Sequence, residues 1–173
     1  MNFKASMRWS SAIVLFLGVQ LAGMCVGRAG EDEDAEIKKT ALQFIATFNK
    51  NDMKSMEAMC TEDAVIIDDT PPYIWQGAGA CSRFADAWQA TRTSMGVIRA
   101  HWETLEGWTI EVDGPRAYVA IPVRLELQFK AGRSRSSTSS SGRPVTNDAP
   151  IWTILLVRTA QHWRVSGHAW VQR

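Results

Sequence analysis

The stretch FNKNDMKSMEAMCTEDAVIID, residues 48–68, sets the fold, because it contains the end of one helix, a complete second helix and the first strand. Asn49 and Asn51 stop the helical pattern that precedes them. Asp52 is placed to cap the next helix, which carries Met53, Met56 and Met59 on one side. Residues 64–69 are rich in β-branched side chains and predict a strand. That strand ends on two adjacent carboxylates, Asp68 and Asp69. TPPY (70–73) then breaks it, since a proline has no N–H to offer a sheet ladder.

Upstream, Ile37, Ala41, Phe44, Ile45 and Phe48 recur at helical spacing behind the acidic start EDED (31–34). Downstream, GAGACSRFADAWQATR (77–92) predicts a third helix with Cys81, Phe84, Ala85 and Trp88 on its apolar stripe. After Gly96 the period changes to two. Ile98, Ala100, Trp102, Thr104, Trp108, Ile110 and Val112 share a face, and a bulge is expected near Glu106-Gly107. Asp113-Gly114 is a hairpin signal. Val119, Ile121, Val123, Leu125, Leu127 and Phe129 line the return strand, with Arg124 and Glu126 among their alternates. A serine-rich polar stretch, about 131–148, predicts a mobile hairpin loop between two strands. In the last strand Trp163 and Val165 alternate with Arg164, Ser166, His168 and Trp170. Three helices followed by a curled, mainly antiparallel sheet predict an α+β domain.

Lys4 and Arg8, the apolar run SAIVLFLGVQLAG and the small residues of GRA (27–29) read as a cleaved signal peptide over 1–29, leaving a domain over 30–173. The apolar run is shorter than the roughly 20 residues that span a bilayer, so no stable membrane insertion is expected, and the protein is expected to be secreted or periplasmic. After cleavage 16 basic and 18 acidic residues remain, near neutrality, which implies no nucleic-acid partner. Of the cysteines that remain, Cys60 and Cys81 are either a disulfide or two buried thiols, and export favours the bond. No nucleotide, phosphate or metal motif is present, so no cofactor is expected.

The order of elements resembles the nuclear transport factor 2-like superfamily, within it the SnoaL-like and ketosteroid-isomerase-like branch. The residues that carry the resemblance are FNKNDMKSMEAMCTEDAVIID, WQG (75–77) and the closing HWRVSGHAW (162–170), and it covers about residues 33–173. It implies three helices packed on a strongly curved sheet that forms a conical pocket. Members include isomerases, dehydratases, epoxide hydrolases, ligand binders and non-catalytic assembly domains, so fold alone does not decide function.

The resemblance places the steroid isomerases' carboxylate base on Asp68. Their phenol donor falls on Phe44, which has no proton to give, and their second oxyanion donor falls at or near Leu155. Steroid-type isomerisation is therefore disfavoured, because the developing enolate lacks its donors. No pair of acids flanks an arginine as the epoxide hydrolases require. The dehydratases' pocket histidine has His101 as its central candidate, at a solvent-facing or interface position. The expectation is an aromatic-lined pocket for an unidentified small molecule, with Tyr73, Trp75, Phe44, Trp102 and Trp163 at its walls and acid/base chemistry of isomerase or lyase type on Asp68. Apolar surroundings and Asp69 would raise the Asp68 pKa; the competing role is a hydrogen-bond acceptor in the turn. Adjacent strand residues face opposite ways, so the two acids are not expected to share a proton while the strand stays regular. A homodimer is expected through the outer sheet face, with Arg124, Glu126, His168 and Trp170 in the interface. The alternative function is an assembly domain working through that face.

Overall fold

A computed structural model describes residues 23–130, 145–160 and 162–170. The chain divides into two compact units, Met1–Ala35 and Glu36–Arg173. The described part of the first is helix over 23–35. The second is built from α1 (Gly23–Lys50, from Glu36 onward), α2 (Met53–Met59), β1 (Cys60–Ile67), β2 (Ile74–Trp75), α3 (Ala80–Met95), β3 (Val97–Thr104), β4 (Thr109–Asp113), β5 (Arg116–Phe129), β6 (Val145–Arg158) and β7 (Trp163–Ala169).

Two boundaries differ from expectation. The first helix begins at Gly23, upstream of the acidic run, so Glu31–Asp34 lie inside it rather than at its start. Most of the expected leader, residues 1–22, lies outside the described residues. The serine-rich stretch is likewise outside them up to residue 144, but from Val145 it is strand. Val145, Thr146, Asn147 and Asp148 pair with Leu127, Glu126, Leu125 and Arg124. Partner pairing thus overrides the weak strand character of VTND.

The sheet order is β2-β1-β7-β6-β5-β3, with β4 also on β5. Its pairs are antiparallel except β1 with β7. One long β5 meets β3 along one half and β4 along the other. The break between them lies at residues 105–108, where Gly107 takes φ 92° and Leu105 N–H donates to the Pro122 carbonyl. The expected bulge is therefore a full strand break. A turn at Gly114-Pro115 closes β4 onto β5, pairing Asp113 with Arg116.

The inner sheet face is covered by α1 and α3. Ile37, Ala41, Phe44, Ile45 and Phe48 are all buried, as are Val119, Ile121, Val123, Trp152, Ile154 and Leu156 beneath them. Burying side chains of this size contributes about 1.5–3 kcal/mol each, enough for a domain of this length to hold without a metal. Asp52 caps α2 as its sequence implies, accepting from Ser55 N–H at 3.1 Å. Cys60, opening β1, and Cys81, in the first turn of α3, are bonded sulfur to sulfur, which ties α3 to the sheet.

Candidate functional site

β1 stops at Ile67, one residue before the paired acids, because the chain turns there. Asp68 Oδ1 accepts from Thr70 N–H at 2.8 Å, Tyr73 N–H donates to the Thr70 carbonyl at 2.8 Å, and Asp68 N–H donates to the Tyr73 carbonyl at 3.0 Å. Once the strand has ended, neighbouring side chains need not face opposite ways. The two carboxyls therefore act on each other electrostatically, the Asp69 charge reaching Asp68. Asp68 is buried; Asp69 is exposed as a residue, but its carboxyl is partly withdrawn from water. Burial, opposed by the hydrogen bonds from Thr70 and reinforced by the Asp69 charge, pushes the Asp68 pKa up to about 7. Asp69 is also raised, first by burial, with Asp68 acting the other way. With a pKa near 7, Asp68 gains and loses its proton around neutral pH, beside a neighbour whose own pKa is also raised.

β7 reverses its facing halfway along. Leu155 pairs with Gly167 while the next β6 residue, Leu156, pairs with Val165, so Ser166 is the extra residue of a bulge. Val65 of β1 comes so close to Gly167 that an added Cβ would lie 2.7 Å from the Val65 carbonyl oxygen; glycine permits the approach. The bulge turns His168 and Trp170 inward, where both are buried. They are not on the outer face where uninterrupted alternation put them, and neither is available to a partner.

His168 sits within an aromatic cluster, its ring centroid 5.2–6.0 Å from those of Phe44, Phe48, Phe84 and Trp152. Trp152 Nε1–H donates to His168 Nδ1 at 3.2 Å, which fixes the Nε2–H tautomer, and Nε2 has no partner. Complete burial pushes its pKa down to about 3, so it is neutral. His101, the candidate for the dehydratases' histidine and expected at a solvent-facing or interface position, is half-buried on β3. Phe44, Trp102 and Trp163 are buried, Trp102 and Phe44 within the same aromatic cluster. Trp75 packs on Phe84 at 5.0 Å, and Tyr73 is exposed. None of these five expected wall residues lines the cavity beside α3. Leu155 points to the outer face, and its inward neighbours Ile154 and Leu156 are aliphatic, so no oxyanion donor stands there.

That cavity, about 190 Å³, lies between α3 and the sheet. Trp88, Thr91, Arg92 and Met95 of α3 form one wall, and Val97, Leu125 and Leu127 form the sheet side. Trp170 closes it, and Asp69 and Thr70 bring the carboxyl pair to its edge. An apolar cavity of about 150 Å³ can take up benzene, so the space suits one ring with a small substituent. Arg92 was not anticipated as a site residue, although it continues the α3 stripe one turn beyond Trp88. It is 8% exposed, and burial lowers its pKa, yet a guanidinium keeps its charge. Its Nη1 donates to Asn51 Oδ1, which also accepts from Gln89 Nε2. Among the described residues no group of His, Cys, Asp and Glu side chains is arranged to hold a metal, and no helix is long and apolar enough to cross a membrane.

Neither a family model nor a curated protein matches this chain. Solved structures do. A protein of unknown function from Mycobacterium tuberculosis is 18% identical, with a TM-score of 0.64 over 84% of this chain and 75% of that one. A nuclear transport factor 2-like protein from Salmonella enterica gives 12% identity and a TM-score of 0.61, covering 80% and 89%. A scytalone dehydratase candidate from Novosphingobium aromaticivorans gives 12% and 0.62, covering 85% and 88%. With helices on the inner face of a curled, unclosed sheet, this chain has the fold of the nuclear transport factor 2-like superfamily.

Proposed function

We propose that this protein binds a small organic molecule of about one ring in the cavity between α3 and the sheet, and that the Asp68–Asp69 pair serves it as a general acid/base. The observation that carries this reading is the carboxyl pair at the edge of an aromatic-walled cavity. Asp69 meets the ligand while Asp68, whose pKa is raised to about 7, stores the proton behind it. A group poised near the working pH is the efficient one for proton transfer, typically contributing about 10² to 10⁴-fold in rate. The role expected of Asp68 alone is thus divided between two residues. The dehydratase-like neighbour is compatible with such chemistry, but the reading rests on the geometry of this chain.

Met95 lines the cavity yet is 42% exposed, so a larger side chain there intrudes without straining the core. Met95→Trp is expected to weaken binding of benzyl alcohol about tenfold in a calorimetric titration, as overfilling typically does. Undiminished binding by that variant would place the ligand elsewhere.

A second reading, compatible with the first, concerns the outer face. Val65, Gly167, Leu155 and Tyr118 form one row across four strands, and Val65, Ile67, Tyr118 and Leu155 are each about 40% exposed. Contiguous exposed apolar surface of this kind marks an interaction site. We infer a homodimer through this row, with Arg124 and Glu126 on the same face and His168 and Trp170 excluded from it. Leu155→Asp is expected to convert a dimer to a monomer in sedimentation velocity. An unchanged sedimentation coefficient would remove this face from the interface.

A further inference from the structure

Trp88 and Arg92 stand one helical turn apart on α3 and both form the cavity wall. Each carries a buried N–H without an acceptor, Trp88 Nε1 and Arg92 Nε. A buried, unpaired donor is costly, more so on a charged group, and native structures rarely leave one without a reason. The Asn51 bond does not account for it, since that bond uses Nη1. Nor does the Trp88 ring, whose centroid is 5.9 Å from the guanidinium carbon and which leaves Nε–H unsatisfied. Asp69 shares the wall but forms no ion pair with Arg92, and no other carboxylate of the described residues does so.

We propose that Arg92 and Trp88 form an anion subsite in this cavity, so that its ligand is a one-ring molecule bearing a carboxylate. The inference rests on the cavity being the binding site. A guanidinium presents its N–H groups as a planar fork that matches a carboxylate, and the indole N–H adds a neutral donor one turn away. The remaining wall, Val97, Leu125, Leu127 and Trp170, offers apolar and aromatic surface for the ring. The Asp69 charge at the edge opposes a second anionic group, which limits the ligand to a single carboxylate.

The test compares benzoate with benzyl alcohol, similar in size and differing in charge, by calorimetric titration of the full chain at pH 7.5. The wild type is expected to prefer benzoate by about tenfold or more, the scale of a charge-assisted hydrogen bond. Arg92→Gln is expected to abolish that preference while still binding benzyl alcohol. Trp88→Phe, which keeps a ring and removes the N–H, reduces the preference and serves as the second variant if Arg92→Gln does not fold. A purely structural Arg92, holding Asn51, would lower the melting temperature and leave the preference unchanged. If benzyl alcohol binds as well as benzoate, or if both variants retain the preference, the anion subsite is overturned and the cavity reading stands. If neither compound binds, the cavity reading itself fails and the subsite falls with it.

Discussion

Asp68→Asn is expected to stabilise the protein at pH 8 by about 4 kcal/mol and to leave it nearly unchanged at pH 4. The folded-state pKa of Asp68 stands at about 7 against an ordinary 3.8. A raised pKa means that this group's stabilising contribution is complete below pH 3.8 and is lost as pH rises through 7. Above that, the folded state must hold an ionised, buried carboxylate. Asparagine accepts the Thr70 N–H as Asp68 does and can donate toward Asp69, but carries no charge to bury. His168 obscures this trend in the wild type. Its lowered pKa, about 3, removes stability as pH falls below 6.5, over much of the same window. The decisive quantity is therefore the difference between variant and wild type from denaturant titrations. It should rise by about 1.4 kcal/mol per pH unit between pH 4 and 7. A difference that stays flat would make Asp68 an ordinary turn acceptor with no stored proton.

Phe48→Ala is expected to destabilise the domain by about 3–5 kcal/mol. Phe48 is 3% exposed and its ring centroid lies 4.9–6.4 Å from those of Phe44, Phe84, Trp88, Trp102, Trp152 and His168. Removing it leaves a void beside neighbours too large and too constrained to collapse, and also forfeits edge-to-face contacts. Leu42 on the same helix is 41% exposed, and its replacement by alanine should change stability by under about 0.5 kcal/mol. A loss below about 2 kcal/mol at Phe48 would mean that the cluster relaxes around the gap.

The helices and the inner sheet face were legible because periodicity reports them directly. The α1 stripe, the Asp52 cap and the alternation of Val119 to Leu125 are all where spacing placed them. What escaped were local events that periodicity assumes away. The Ser166 bulge exchanges the two faces of β7, so His168 moved from a supposed interface into the aromatic core; Gly167 inside a strand pattern was the available signal. The end of β1 at Ile67 freed the Asp68 and Asp69 carboxyls to act on each other. Arg92 lies one turn beyond the apolar stripe that ends at Trp88, and only the packing around the cavity reveals its unsatisfied N–H. Phe44, Trp102 and Trp163 read as pocket lining because large aromatics on inner faces can either line a space or fill it. Composition does not distinguish the two, and here they fill it.

These corrections narrow the chemistry. The inner sheet face is packed with rings around a neutral histidine, and a cavity beside α3 is lined by Asp69, Arg92 and Trp88. The most direct test of that account is a crystal structure of the full chain with bound benzyl alcohol. The account predicts one ring between α3 and the sheet, against Trp88 and Trp170, with its hydroxyl toward Asp69. A ring bound only on the outer sheet face, or none in a cavity that remains closed to it, would contradict the account.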